Sequence, residues 1–245
     1  RKVRDDKPAD GFCRELWSEM AQMGWAGIIV DEEHGGSGFG YVGAGVLAEQ
    51  MGRNLTASPF FSTSVLGATA IQQYGSAKQK EENLAAISSG EKLFALAVDE
   101  GPRHNPSRIA FSAEPSGNGF TLSGAKTFVA DGHVADKLII AARTSGAQGD
   151  TQGITLFLVD ADAPEITREQ TPMVDSRNAA NISVDGLEVT GDDILGELDG
   201  GYGALEGILS AGRAVLSAEM SGSAQQVFGV TTDYLKEREQ FGQKI

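Results

Sequence analysis

From Leu93 to Thr190 the chain breaks into short apolar or alternating runs: "LFALAV", "FTLSG", "KTFVA", "KLIIAAR", "ITLFLVD", "ANISV" and "LEVT". Turn chemistry such as "PSGNG", "ADG" and "SGAQGDTQG" separates them, and no helical period intervenes. Parallel neighbours need long crossovers, usually helices, so this spacing predicts an antiparallel sheet or barrel and excludes βαβ units. The "SGAQGDTQG" stretch reads as a polar hairpin loop without chemistry. The flanks differ in texture. Phe12, Leu16, Trp17, Met20 and Met23 recur at helical spacing before Gly24, and "SVLGATAIQQYG" stops at Gly75. Ser76 then caps "AKQKEENLAAISSG", with Leu84 and Ile87 turned inward and Gly90 closing the segment. Downstream, "GDDILGELDGGYG" reads as a linker, and the chain from Leu205 onward reads as helical again. Gly222 and Gly229 inside that pattern suit close helix–helix approach. The closing "KEREQFGQKI" reads as a helix still under way. The expected fold class is α+β multidomain. A helical N-terminal domain spans 1–90, an antiparallel β domain 91–195, and a linker with the opening helices of a third unit 196–245.

Composition narrows the function classes. Lys and Arg number 20 against 34 Asp and Glu, a net charge of −14. Such a balance disfavours nucleic acid and anionic membrane as partners, because both attract clustered basic surface. No apolar run approaches the roughly 20 residues that span a bilayer, so no membrane insertion is expected. The single cysteine, Cys13, excludes an internal disulfide, and no CxxC or HExxH spacing points to a metal. Among Phe12, Leu16, Trp17 and Met20, Cys13 reads as a small core residue. His34, His104 and His133 stand in polar loops and read as solvent-facing. The chain starts at Arg1 without a Met, which leaves a removed leader open, and cytoplasmic is the default location.

"GIIV" followed by "DEEHGGSGFGYVGAG" contains a formal GxGxxG, Gly38 to Gly43. Seven mostly polar residues, Asp31 to Ser37, separate it from the strand-like run, whereas a dinucleotide site needs the strand to feed the turn directly. About 20 residues on, where an acidic ribose ligand should stand, the chain reads "SPFFSTS". The glycines therefore read as an irregular connection between helices, not as a phosphate cradle.

Six stretches taken together carry a resemblance: "GWAGIIVDEEHGGSGFG", "AEQMGRNLTASPF", "SGAKTFVADGHVADKLIIAAR", "GITLFLVD", "ILGELDGG" and "YLKEREQFGQKI". In their order, covering almost the whole chain, they are similar to the acyl-CoA dehydrogenase family. The resemblance implies a helical domain, a β domain and a C-terminal four-helix bundle, most of which would lie beyond Ile245, with FAD held between them. It implies α,β-dehydrogenation of an acyl-CoA in fatty acid metabolism, with an α-proton taken by a Glu and a β-hydride leaving to flavin N5. An electron-transfer protein would reoxidise the flavin, and the assembly would be a homodimer or homotetramer, or a hetero-oligomer.

The resemblance also assigns residues. Arg238 of "RxxFG" would reach the FAD pyrophosphate of a neighbouring subunit, with Phe241 packed close by, and a guanidinium suits phosphate oxygens. Phe128 in "KTFVADG" would flank the flavin ring, with Val129 beside it; otherwise Phe128 reads as a strand core residue. Ala130 stands where many members have a Thr bonding near N5, so only its backbone N–H remains. Members commonly carry a "TEPxxGSD"-like loop where this chain reads "VDEGPRHNPSRI"; Val98 and Asp99 would still offer backbone groups to the flavin, while the changed loop leaves substrate class open. Arg213 matches an Arg beside the acyl-CoA, or else pairs with a local acid. Some members carry the base immediately before that Arg, but here the pair is Gly212-Arg213. Glu206 and Glu219 have no precedent as bases, so no catalytic residue is expected within the chain and the Glu would lie beyond Ile245. Two further readings stay open: a flavin oxidase or monooxygenase on the same scaffold, and a non-catalytic partner subunit of a hetero-oligomer.

Overall fold

The structure is a computed structural model and describes residues 9–173 and 177–244. Helix α1 (Arg14–Gln22) buries Trp17, Met20 and Ala21, and the Trp17 indole donates to the carbonyl of Gly90 at 3.0 Å. Leu16 and Met23, expected inward, are 39% and 55% exposed. Leu16 lies about 100° round the helix from Trp17, and Met23 falls past the last helical residue, where Gly24 turns the chain at φ +78°. Cys13 is only half-buried: it occupies the N-cap position, and its thiol lies 3.0 Å from the Glu15 carboxylate. A 3₁₀ turn (Glu32–His34) follows, and Gly40 opens α2 (Gly40–Asn54), so the second half of the GxGxxG lies inside a helix.

The next segment is unusual. Residues Phe60–Gly67 form a π-helix that runs into α3 (Ala68–Tyr74), and all of its residues except Phe61 are buried. Its side chains take up polar groups of the β region. The Thr63 hydroxyl accepts from the Phe94 amide at 2.9 Å, and the Ser62 hydroxyl donates to Asp131 at 2.7 Å. Helix α4 (Ala77–Ser88) begins with the expected Ser76 cap, completed into a capping box by Gln79, and Leu84 and Ile87 are buried.

The sheet comprises β1 (Phe94–Ala97), β2 (Ser112–Ser116), β3 (Gly119–Ala130), β4 (Lys137–Arg143), β5 (Ile154–Asp160), β6 (Ile166–Pro172), β7 (Asn178–Thr190) and β8 (Ile194–Leu195). Its order is β6-β7-β3-β2-β4-β5-β8, with β1 paired to β4. Pairings are antiparallel except β1–β4 and a single β2–β4 contact at Ser112 and Arg143. The parallel pair needs no helix, because the 98–111 loop and the β2–β3 hairpin make the crossover. Strands β4 and β5 are buried almost throughout, as expected for strands covered on both faces, whereas β7 alternates over much of its length. The stretch read as a linker supplies β8, which closes one sheet edge against β5; buried Gln79 donates to the carbonyls of Asp192 and Ile194 and ties it to α4.

Helix α5 (Gly201–Glu237) lies against α2, and the two backbones approach closely at two glycines. A Cβ at Gly222 would stand 1.9 Å from the Glu49 carbonyl oxygen, and one at Gly52 would stand 2.0 Å from that of Glu219. Gly229, by contrast, faces open space. The helix does not continue through the closing residues. It ends at Glu237, and β9 (Glu239–Gln240) pairs with β10 (Gln243–Lys244) about Phe241 and Gly242, at φ +56° and +81°. Successive left-handed residues with Gly second suit a type I′ hairpin turn, a local signal that overrides the helical spacing of the charges. Among the described residues no helix is long and apolar enough to cross a membrane.

Candidate functional site

The most informative feature is a break in β3. Its pairing with β7 shifts once between Leu122 and Ser123, where β7 carries the extra residue Gly186, and again after Lys126, resuming at Val129 with the extra residue on β3. Before the break Leu122 and Lys126 face inward, so strict alternation would bury Phe128. The bulge transfers the inward position to Val129 and turns Phe128 out, at φ +52° and 58% exposed. The strand-core alternative for Phe128 is thereby excluded. A bulky residue at left-handed φ, presented to solvent by a bulge, is a strained arrangement of the kind concentrated at ligand sites.

The 98–111 loop is held against this bulge. The Thr127 amide donates to the Asp99 carbonyl at 2.7 Å, and the Thr127 hydroxyl donates to Gly101. Beneath it lies Lys126, a fully buried cation. Its ammonium donates to the Val98 carbonyl at 3.0 Å and to Glu100 at 2.7 Å, and lies 5.1 Å from the Phe111 ring centre. Burial pushes its pKa down to about 8, against the opposing pull of Glu100. Glu100 also accepts from the Ala110 and Phe111 amides, so one ion pair clasps both ends of the loop. The signal for this inward lysine in the sequence is the strand parity that Lys126 shares with Leu122.

Asp99 accepts from the Asn105 amide and lies 2.9 Å from His104 Nδ1. His104 is exposed, as expected, but His133 is not free in solvent. Its Nε2 lies 3.2 Å from the Asp10 carbonyl, its Nδ1 is buried without a partner among the described residues, and burial lowers its pKa.

Where β3 ends, a small cleft of about 50 Å³ opens between Ala130, Asp131, Phe61 and Arg177. Asp131 is half-buried at φ +54°, and desolvation raises its pKa to about 6 despite the Ser62 hydrogen bond and the charge of Arg177. Arg177 pairs with Glu219 of α5. On the same helix Gly212 abuts Leu66 and Phe61; a Cβ there would come within 2.7 Å of Leu66. Arg213, the next residue, bonds Glu206 at 3.2 Å, so the local-acid reading describes its contact in this structure.

Val98, Asp99, Phe128, Val129 and Ala130 are thus assembled around one bulge, with Gly212 and Arg213 on the helix beside the Ala130 cleft. Arg238 and Phe241 are not brought there. Past Gly222 no residue of α5 is buried; Arg238 stacks on Tyr234 at 5.3 Å and Phe241 is fully exposed. Among the described residues no cluster could hold a metal ion.

Two family domains map onto this architecture: residues 2–91 match the acyl-CoA dehydrogenase N-terminal domain, and residues 100–186 its middle domain. The chain belongs to the acyl-CoA dehydrogenase family. It is 31% identical over 248 residues to a 3-(aryl)acrylate reductase of Clostridium sporogenes, covering 98% of this chain and 65% of that protein. It is 32% identical to the mitochondrial isovaleryl-CoA dehydrogenase of Pongo abelii, covering 95% of this chain and 56% of the relative. The solved butyryl-CoA dehydrogenase of Megasphaera elsdenii superposes with a TM-score of 0.83 at 27% identity, over 98% of this chain and 65% of that one. The chain therefore spans between 56% and 65% of the length of these acyl-CoA dehydrogenase relatives. The fold class expected from its runs and turns is that of the family.

Proposed function

We infer that the protein carrying this chain is an FAD-dependent acyl-CoA dehydrogenase, acting on the Cα–Cβ bond of an acyl-CoA thioester. The observation that carries this is Phe128, turned out by the β3 bulge beside the pinned Asp99 loop. The residues fit the group: an exposed, fixed aromatic face to flank an isoalloxazine, with Val98 and Asp99 next to it, and a small Ala130 that leaves room at the strand end. FAD, when bound, supplies the two-electron acceptor that no side chain provides.

The chain's own residues position and exclude. Lys126 and Glu100 hold the loop still, and the buried π-helix closes one side of the cleft. Arg213 stands one residue past the Gly212–Phe61 contact as the candidate for the thioester. The helix glutamates are already engaged, Glu206 with Arg213 and Glu219 with Arg177. That supports a base from beyond Ile245, where a Glu would take the α-proton. Arg238 and Phe241 stand just past the far end of α5, which supports their serving a neighbouring copy's cofactor in a homodimer or homotetramer. An electron-transfer protein would be the oxidant.

The same engagement of both glutamates also supports a second reading, a non-catalytic partner subunit in a hetero-oligomer. Anaerobic mixing of the purified full-length flavoprotein with a panel of acyl-CoAs separates these. Flavin bleaching with formation of an enoyl product supports the dehydrogenase. A protein whose flavin dithionite reduces but no acyl-CoA bleaches refutes it and favours the partner subunit.

A further inference from the structure

Beside the bulge lies a cleft of about 780 Å³, walled by the 99–110 loop and by Gln148 from the β4–β5 turn. Its charges sort into two sets. The acids are committed: Glu100 to Lys126 and two backbone amides, and Asp99 to His104 and the Asn105 amide. Arg103 and Arg108 also line the cleft, and neither is among the salt bridges or side-chain hydrogen bonds of the described residues. In a chain of net charge −14, two uncommitted arginines on one concave wall are a local reversal of sign.

The wall is also rigid. Arg143 donates to the carbonyls of Ser107 and Ile109, Thr127 donates to those of Asp99 and Gly101, and the Lys126–Glu100 pair ties the loop ends together. The arginines therefore project from a fixed scaffold instead of a free loop, which lowers the ordering entropy a ligand would have to overcome.

We propose that Arg103 and Arg108 form an anion subsite that takes the phosphate of a phosphopantetheine thioester. The inference rests on the function proposed above, since the cleft begins at Asp99, whose carbonyl bonds the amide adjoining Phe128. An acyl group lying at the bulge would extend its thioester arm along this wall. Planar guanidinium forks suit a phosphate monoester or diester equally, so the subsite serves free coenzyme A or a carrier-borne prosthetic arm alike.

The test is calorimetry on the full-length flavoprotein with pantetheine, 4′-phosphopantetheine and coenzyme A as probes. The expected result is that 4′-phosphopantetheine binds about tenfold or more tighter than pantetheine, as two charge-assisted contacts allow. In R103A/R108A that preference collapses while pantetheine affinity holds, and R103K/R108K retains part of it. Coenzyme A binding tighter than 4′-phosphopantetheine supports the subsite with the nucleotide carrier as its source; equal affinities support it with a carrier-borne arm. No phosphate preference in the unaltered protein overturns the proposal. So does a preference that survives in a folded R103A/R108A, or in both single variants if the double variant fails to fold. Flavin bleaching by acyl thioesters, read on the same samples, separates the two claims. In the unaltered protein, bleaching without any phosphate preference refutes only the subsite, and a preference without bleaching refutes only the dehydrogenase.

Discussion

Replacing Asp131 by Asn removes one titrating proton while keeping side-chain shape, and Asn tolerates the left-handed backbone at φ +54°. Burial raises the Asp131 carboxyl from its ordinary 3.8 to about 6, against the lowering pull of Ser62 and Arg177. An acid whose pKa is raised on folding binds its proton more tightly in the native state. The stability this confers is complete below the unfolded pKa and is lost as pH rises through the folded one. The interval between the two values converts to roughly 3 kcal/mol at about 1.4 kcal/mol per pH unit. Below about pH 4 the unaltered protein and D131N should therefore unfold alike. Between about pH 4 and 6.5 the unaltered protein should fall behind, and at pH 7.5 the variant should be more stable by roughly 2–3 kcal/mol. Urea unfolding of the full-length protein across this range measures the difference directly. A gap between the two that stays constant from pH 4 to pH 7.5 would refute the reasoning.

Three further outcomes follow from the geometry. Phe128→Ala should weaken FAD binding about three- to tenfold with little change in unfolding free energy, since the ring is exposed; an unchanged flavin Kd in a fluorescence titration contradicts its placement. Gly222→Ala should destabilise by about 1–3 kcal/mol despite alanine's better helix propensity, because its Cβ would meet the Glu49 carbonyl; a stabilised variant in denaturant titration would show that the α2–α5 contact yields. Gln79→Ala should cost about 2–4 kcal/mol, because it strips donors from the Asp192 and Ile194 carbonyls as well as the cap of α4, and amide hydrogen exchange should rise at the start of α4 and along β8.

Much of the fold could be read from local pattern. The runs from "LFALAV" to "LEVT" are strands because turn residues bound them, and Ser76 caps its helix as spacing predicts. The misreadings share a cause: the deciding partner is remote in sequence. Ile194 and Leu195 look like linker until β5 provides an edge to pair with. Without the resemblance, Phe128 looks like core until the register with β7 slips. Asp131 sits in a turn-like "ADG" and gave no sign of burial, because Ser62, which holds it, is 69 residues away. His133 reads as solvent-facing for the same reason, its neighbour Asp10 being 123 residues upstream. Of the candidate site, the resemblance singles out Phe128, Ala130 and the Asp99 loop, which the fold brings to one bulge. Lys126 was legible only through strand parity, and the two spare arginines only once the acids around them were seen to be engaged.

The backbone contact between α2 and α5 bears on how the chain is made. The Ser223 hydroxyl donates to the Gly52 carbonyl across 171 residues of sequence, and the whole sheet lies within that span. During synthesis every strand of the sheet, through Leu195, has been translated before Gly222. Closing so wide a loop adds little entropy beyond closing one half as wide, roughly 0.6 kcal/mol per doubling, but the closure must wait for the later residues to exist. A nascent chain can therefore form β pairings beside an α2 whose Gly52 groove is still bare. Ribosomal pausing between Leu195 and Gly222 would prolong that state, the interval in which the growing chain has the most to gain from a chaperone.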